Sequence, residues 1–187
     1  MPAAYAELHC LSNFTFLRGA SHAGELVTRA AKLGYTALAI TDECSVAGVV
    51  RAHAAAKEHQ FKLIIGAEFS ATDGLRFVLL AQNRAGYGNL CELITRGRRN
   101  AKKGEYRLSR DDLNAGSEHC IALWLPPAQP DAGDAQWLAA RFPERTWIAA
   151  ELLLRGGDRD RPVASVCGRR RRREDRAGGG GTHESAE

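Results

Sequence analysis

The sequence contains no CxxC pair, no apolar run long enough to cross a bilayer and no basic-then-apolar leader. Each absence removes a class of protein. The five cysteines, Cys10, Cys44, Cys91, Cys120 and Cys167, stand far apart. A scattered, odd-numbered set in a chain without a signal reads as reduced thiols, which excludes a zinc ribbon or a disulfide scaffold. No stretch approaches the roughly 18 uninterrupted apolar residues that a membrane span needs. The opening Met1-Pro2-Ala3-Ala4-Tyr5-Ala6-Glu7 has neither the charged nor the apolar part of a secretory signal, so a cytoplasmic protein with no membrane partner is expected.

The chain also lacks a strong charge bias where it would fold. Its net charge is +4, but residues 1–154 hold 17 Lys and Arg against 16 Asp and Glu, while the last 33 residues hold 9 against 6. Basicity therefore gives no argument for a polynucleotide partner of the folded part. With 187 residues, 44% apolar and 26% charged, the chain has the length and composition of one globular domain with a real core.

What is present is an alternation of strand and helix patterns. Tyr5 to Cys10 reads as a strand, Gly24 to Leu33 as a helix stopped by Gly34, and Ala37 to Ile40 as a buried strand. Val46 to Glu58 reads as a helix capped by Ser45, and Lys62 to Ile65 as a strand closed by Gly66. Arg76 to Ala81 is the next strand and Tyr87 to Thr95 the next helix, followed by a basic surface loop from Arg96 to Arg107. Strands at Cys120–Leu125 and Thr146–Glu151, with a helix around Trp137 and Leu138 between them, complete the set. This order predicts an α/β fold with a mostly parallel sheet, as a barrel or an open sheet.

After Leu154 the periodicity stops. Residues 155–187 include five consecutive arginines, Arg169 to Arg173, and four consecutive glycines, Gly178 to Gly181. Such a segment is expected to be disordered, because it has almost no apolar surface to offset ordering. Its Arg, Gly and Ala content is what GC-rich codons give out of frame, which points to a frameshift. A native charged tail and an arginine-rich nucleic-acid arm are the alternatives. The domain expectation is thus 1–154 folded and 155–187 a tail.

In α/β folds, polar residues at the C-terminal ends of parallel strands make the site. His9, then Asp42 and Glu43, then Glu68 stand at such positions, and imidazole with carboxylate suits a divalent metal such as Zn or Mn. Each also has a purely structural reading: a hydrogen-bonded histidine, a helix-capping Asp42, and a Glu68 paired with an arginine.

Four segments share a resemblance. Leu8-His9-Cys10-Leu11-Ser12-Asn13-Phe14-Thr15-Phe16-Leu17-Arg18-Gly19-Ala20-Ser21 resembles the opening motif of PHP (polymerase and histidinol phosphatase) domains. Leu38-Ala39-Ile40-Thr41-Asp42 and Ile64-Ile65-Gly66-Ala67-Glu68-Phe69 resemble the second and third motifs. Leu79 to Leu90, with Asn83, Gly86, Tyr87 and Asn89, is similar to a segment of bacterial C-family polymerase alpha subunits. The combination of Ser12 to Ser21 with Thr41-Asp42-Glu43-Cys44-Ser45 looks closest to their error-prone, damage-inducible branch.

The resemblance spans residues 5–154 and implies a PHP-type distorted (β/α) barrel, incomplete within this chain. It also implies the N-terminal part of a DNA-directed DNA polymerase used in damage-induced mutagenesis and translesion synthesis. Its partners would be DNA and other polymerase or mutagenesis proteins, met through a longer parent. A metal-dependent phosphoesterase of the histidinol-phosphatase kind and a nucleic-acid-binding module are the rival readings.

His9, Asp42 and Glu68 match family positions, but the second histidine of the first motif is Leu11 and the histidine of the T-D-H motif is Glu43. Leucine binds no metal. His9, Asp42, Glu43 and Glu68 are therefore expected to form a degenerate metal site with no catalytic residue. Residual Zn or Mn is the only cofactor such a site would take.

Overall fold

A computed structural model describes residues 4–114 and 118–150. Six strands form one sheet in the order β1-β2-β3-β4-β5-β6, with the strands at Ala6–Cys10, Ala37–Ile40, Leu63–Ser70, Arg76–Ala81, Cys120–Trp124 and Thr146–Ile148. β1, β2 and β3 pair in parallel, as do β5 and β6, and β4 alone runs against its neighbours. The sheet curls into part of a barrel and is mixed α/β, as expected of an incomplete PHP barrel. The expectation of a mostly parallel sheet holds for strand direction but missed the reversed β4. β3 and β4 are joined by five residues, too few for a helical crossover, and so they make a hairpin.

Alternation along the strands sorts the core into three clusters. Leu38, Ile40 and Leu63 pack outward against Val27 and Ala30 of α1 (Ala23–Lys32) and Ala52 and Ala56 of α2 (Val49–Glu58). Ala67, Phe69, Phe77, Leu79 and Trp124 pack outward against Leu90 and Leu93 of α3 (Arg84–Arg99) and Leu138 of α4 (Ala132–Arg141). The opposite face of the same strands gathers Ala39, Val78, Leu80, Leu123 and Leu125, lined also by Ile64 and Ile121. Glu68 lies on this inner face, two and four residues along β3 from Gly66 and Ile64.

Three boundaries differ from the sequence reading. Gly66 does not end β3, which continues to Ser70. A Cβ at position 66 would stand 2.6 Å from the Leu79 carbonyl oxygen, so this glycine permits close approach of β4. The Ser45 hydroxyl accepts from the Ala47 N–H in a turn that precedes α2, and the helix starts only at Val49 behind Gly48. The basic run from Arg96 begins not as a loop but as the last turn of α3, where Arg96, Arg98 and Arg99 suit the negative end of the helix dipole.

Within the Leu79–Leu90 segment, Asn83, Gly86, Asn89 and Leu90 each have a structural role. The Asn83 side chain caps α3 by accepting the Gly86 N–H at 3.0 Å. Gly86 packs so closely that a Cβ would lie 2.1 Å from the His119 carbonyl oxygen. Asn89 donates its amide to the Glu118 carbonyl at 2.8 Å, and Leu90 is fully buried. The motif is a joint that seats α3 on the turn entering β5. Residues 151–187, which include the final residue of the expected sixth strand and the whole of the expected tail 155–187, lie outside the described residues.

Candidate functional site

The site is built on the loop that follows β1. Asp42, just past β2, is fully buried and saturated by that loop. Its Oδ1 accepts the Ser12 backbone N–H at 2.7 Å and the Thr15 hydroxyl at 2.8 Å, and its Oδ2 accepts the Ser12 hydroxyl at 2.7 Å. The Thr15 hydroxyl in turn accepts the Glu43 N–H at 3.0 Å. Gly19 closes the loop against Ser12, where a Cβ would stand 2.0 Å from the carbonyl oxygen. Asp42 therefore staples residues 12–15 to the end of β2, and caps no helix.

That staple delivers Arg18 to the inner face. Its two terminal guanidinium nitrogens donate to Glu68 Oε1 and Oε2, both at 3.0 Å, and the first also donates to Glu43 Oε2 at 3.0 Å. Arg76 on β4 donates to Glu68 Oε1 at 2.7 Å. Its register partner is Ser70, and that of Glu68 is Val78, so the two side chains are diagonal neighbours on one face of the hairpin. His9 Nε2 lies 3.0 Å from Glu68 Oε2. On the far side, Tyr106 donates its hydroxyl to Glu43 Oε1 at 2.9 Å and accepts the Ser70 N–H at 2.9 Å.

The electrostatics follow from this geometry. Burial by itself pushes the Glu68 carboxyl up, but the donors His9, Arg18 and Arg76 outweigh it and hold the group at about 2. The hydrogen bond from Arg18 to Glu68 shifts the guanidinium further toward its protonated form. Burial, and then the Glu43 carboxylate it serves, pushes the Tyr106 hydroxyl up to about 12. Two carboxylates thus face two guanidiniums.

Of the expected metal-site residues, the fold brings His9, Glu43 and Glu68 together, while the Asp42 carboxylate is engaged by the loop. The guanidinium of Arg18 lies between Glu43 and Glu68, 3.0 Å from an oxygen of each. Among the described residues no group of three His, Cys, Asp or Glu side chains is arranged to hold a metal ion. For Glu68 the structural reading, pairing with an arginine, is the one the fold realises. Arg18, Arg76, Tyr106, Ser12 and Thr15 were not singled out in the sequence. Arg18, Ser12 and Thr15 stand inside the first motif, whereas nothing local marks Arg76 or Tyr106.

The chain matches the PHP domain family over residues 7–155. It is 62% identical over 157 residues to an error-prone DNA polymerase of Methylococcus capsulatus, covering 83% of this chain and 15% of that protein. It is 55% identical over 174 residues to one of Dechloromonas aromatica, covering 88% and 17%, and 59% identical over 160 residues to one of Pseudomonas aeruginosa, covering 84% and 15%. The chain therefore spans about a sixth of the length of these curated relatives.

Among solved structures, the fold is similar to an amidohydrolase of Chromobacterium violaceum holding sulfate and no metal (TM-score 0.66, 16% identity, 89% of this chain and 84% of that one). It is also similar to a candidate metal-dependent phosphoesterase of Bifidobacterium adolescentis (TM-score 0.64, 15% identity, 90% and 84%). At such identities these two speak for the fold. No helix among the described residues is long and apolar enough to cross a membrane.

Proposed function

This chain belongs to the PHP domain family, and we propose that it forms the N-terminal PHP portion of an error-prone DNA polymerase, a structural platform rather than a hydrolase. One observation carries the platform reading: the inner-face carboxylates are neutralised by Arg18 and Arg76, where a metal phosphoesterase needs them free to hold its ions. The identities to error-prone polymerases support the assignment to that branch. So does the α3 joint built from Asn83, Gly86 and Asn89, which coincides with the polymerase-like segment.

Residues 1–154 would then support the rest of a longer polymerase without contributing to nucleotidyl transfer. DNA and the proteins of damage-induced mutagenesis would be met through that polymerase. The phosphoesterase reading is weaker, since Leu11 offers no donor and Glu68 is spoken for. His9, Asp42, Glu43 and Glu68 are accordingly residues of a degenerate site with a structural role.

A chimera tests this. Residues 1–154 replace the matching segment of the Methylococcus capsulatus enzyme, and primer extension is measured beside phosphomonoester hydrolysis in added Zn or Mn. The expected result is primer extension close to the parent's and no metal-stimulated hydrolysis. Loss of primer extension in a folded chimera, or turnover of a phosphomonoester, would sink the proposal.

A further inference from the structure

We propose that the guanidinium of Arg18 is the tethered cation of this site: it stands in for a divalent ion between Glu43 and Glu68, and the site takes metal only when that guanidinium is removed. The inference deepens the platform reading and rests on it.

Three features point the same way. First, Arg18 makes the contacts a bridging cation would make, touching both oxygens of Glu68 and one of Glu43, each at 3.0 Å. Second, charge closes within the cluster: Arg18 and Arg76 offset Glu43 and Glu68. A divalent ion added to that set would leave two positive charges unbalanced beside a Glu68 with no solvent exposure. Third, the arginine is delivered by design of the loop. Ser12 and Thr15 are stapled to buried Asp42, and Gly19 folds the return so that Arg18 faces Glu68, 50 residues away in sequence.

Leu11 belongs to the same exchange. It stands where the resemblance implies a second histidine, so one donor has gone from the strand end while a cation has arrived seven residues later on the same loop. A guanidinium is suited to this place. It is planar, permanently charged, and carries its donors in a fork that matches a carboxylate. A covalently attached cation also needs no metal supply, and its fork ties β1's loop to β3 whatever the ion content of the solution.

The test uses the 187-residue chain, purified without chelator and dialysed for metal analysis, with a portion then stripped for the titrations. Thermal midpoint and Mn²⁺ binding, the latter read by electron paramagnetic resonance, are measured for wild type, Arg18→Met and Arg18→Lys. The wild-type midpoint should be indifferent to chelator and to added Mn²⁺ or Zn²⁺. Arg18→Met should melt lower, bind Mn²⁺ more tightly than wild type by on the order of tenfold or more, and regain part of its midpoint when the ion is added. Arg18→Lys should keep the charge but lose the fork, melting between the two without responding to metal.

Stoichiometric metal in dialysed wild type overturns the proposal, and so does an Arg18→Met variant that binds no more Mn²⁺ than wild type. If Arg18→Met does not fold, the wild-type titration and Arg18→Lys still decide, because a metal-stabilised wild type or a metal-responsive lysine variant refutes it. The outcomes separate from those of the chimera. A metal-indifferent wild type with a dead chimera would leave the tethered cation standing and remove the polymerase assignment, and the reverse pair would do the opposite.

Discussion

Arg18 and Glu68 meet fork to fork, two parallel donor–acceptor contacts at 3.0 Å between a loop after β1 and the inner face of β3. Glu68 is fully buried while Arg18 keeps about a third of its side chain in water. The carboxylate thus depends on its partners far more than they depend on it. Replacing Glu68 by Ala leaves Arg18 and Arg76 facing each other beside an emptied position. Breaking a buried pair costs about 3–5 kcal/mol, and the partial exposure of both arginines lowers the expectation to about 2–3 kcal/mol. Urea midpoints of wild type and Glu68→Ala measure it. A difference within experimental error would mean that the cluster is decorative.

The same carboxylate sets an acid limb. Its folded value is about 2 against an ordinary 4.5, so the folded state binds the proton less readily than the unfolded chain. The stabilisation is fully present above about pH 4.5 and is lost as pH falls toward about 2. It is on the order of 3 kcal/mol. Glu68→Gln should flatten stability across that window and leave its slope near neutrality unchanged. An identical acid limb in both proteins would assign the effect to other carboxylates.

Asp42 holds the loop after β1. Asp42→Ala removes the acceptor of three donors, two from Ser12 and one from Thr15. Stranding buried donors costs about 1–3 kcal/mol each at most, less where the loop opens to water. Opening is the expected outcome, and it can be read directly. Phe16 and Leu17 are exposed at the loop tip, so limited chymotrypsin digestion should cut there much faster in the variant. Cutting at the wild-type rate would show that the loop is held by something other than Asp42.

Two glycines of α3 should respond in opposite senses. Helix-interior Gly→Ala ordinarily stabilises by roughly 0.5–1 kcal/mol. Gly88 has nothing within 4 Å of an added Cβ, and Gly88→Ala should show that gain. At Gly86 the Cβ would press on the His119 carbonyl at 2.1 Å, so Gly86→Ala should instead destabilise, by about 2 kcal/mol or more, as the α3 joint is forced apart. Parallel thermal melts separate the two, and equal shifts would refute the close-approach reading.

Three thiols should be slow. Burial, first of all, pushes Cys10, Cys44 and Cys120 each up to about 11, so little thiolate exists at neutral pH. A thiol reagent added to the folded chain should leave these three unmodified on the timescale at which half-exposed Cys91 reacts. Peptide mapping after brief labelling would check it, and rapid modification of Cys44 or Cys120 would argue that the second core cluster opens readily.

The elements themselves were legible in the chain because each is announced within a few residues. Ala37–Ile40 is a compact apolar run and is a strand with those bounds, and Gly34 stops α1 in the left-handed conformation that glycine adopts freely. His9 and Glu43 could be named as site residues because strand ends and motif spacing are local properties, whereas Glu68 is marked by its motif alone, since β3 runs on past it to Ser70. Which cation they would hold was not local. Whether Glu68 faces a metal or an arginine depends on where Arg18 and Arg76 come to rest, and that depends on the Asp42 staple, on Gly19 at the loop's return and on the reversed strand β4. A carboxylate in the sequence is only a charge. The cation that balances it is set by distances across the sheet, so tertiary structure alone turned a metal-site pattern into an ion-paired cluster.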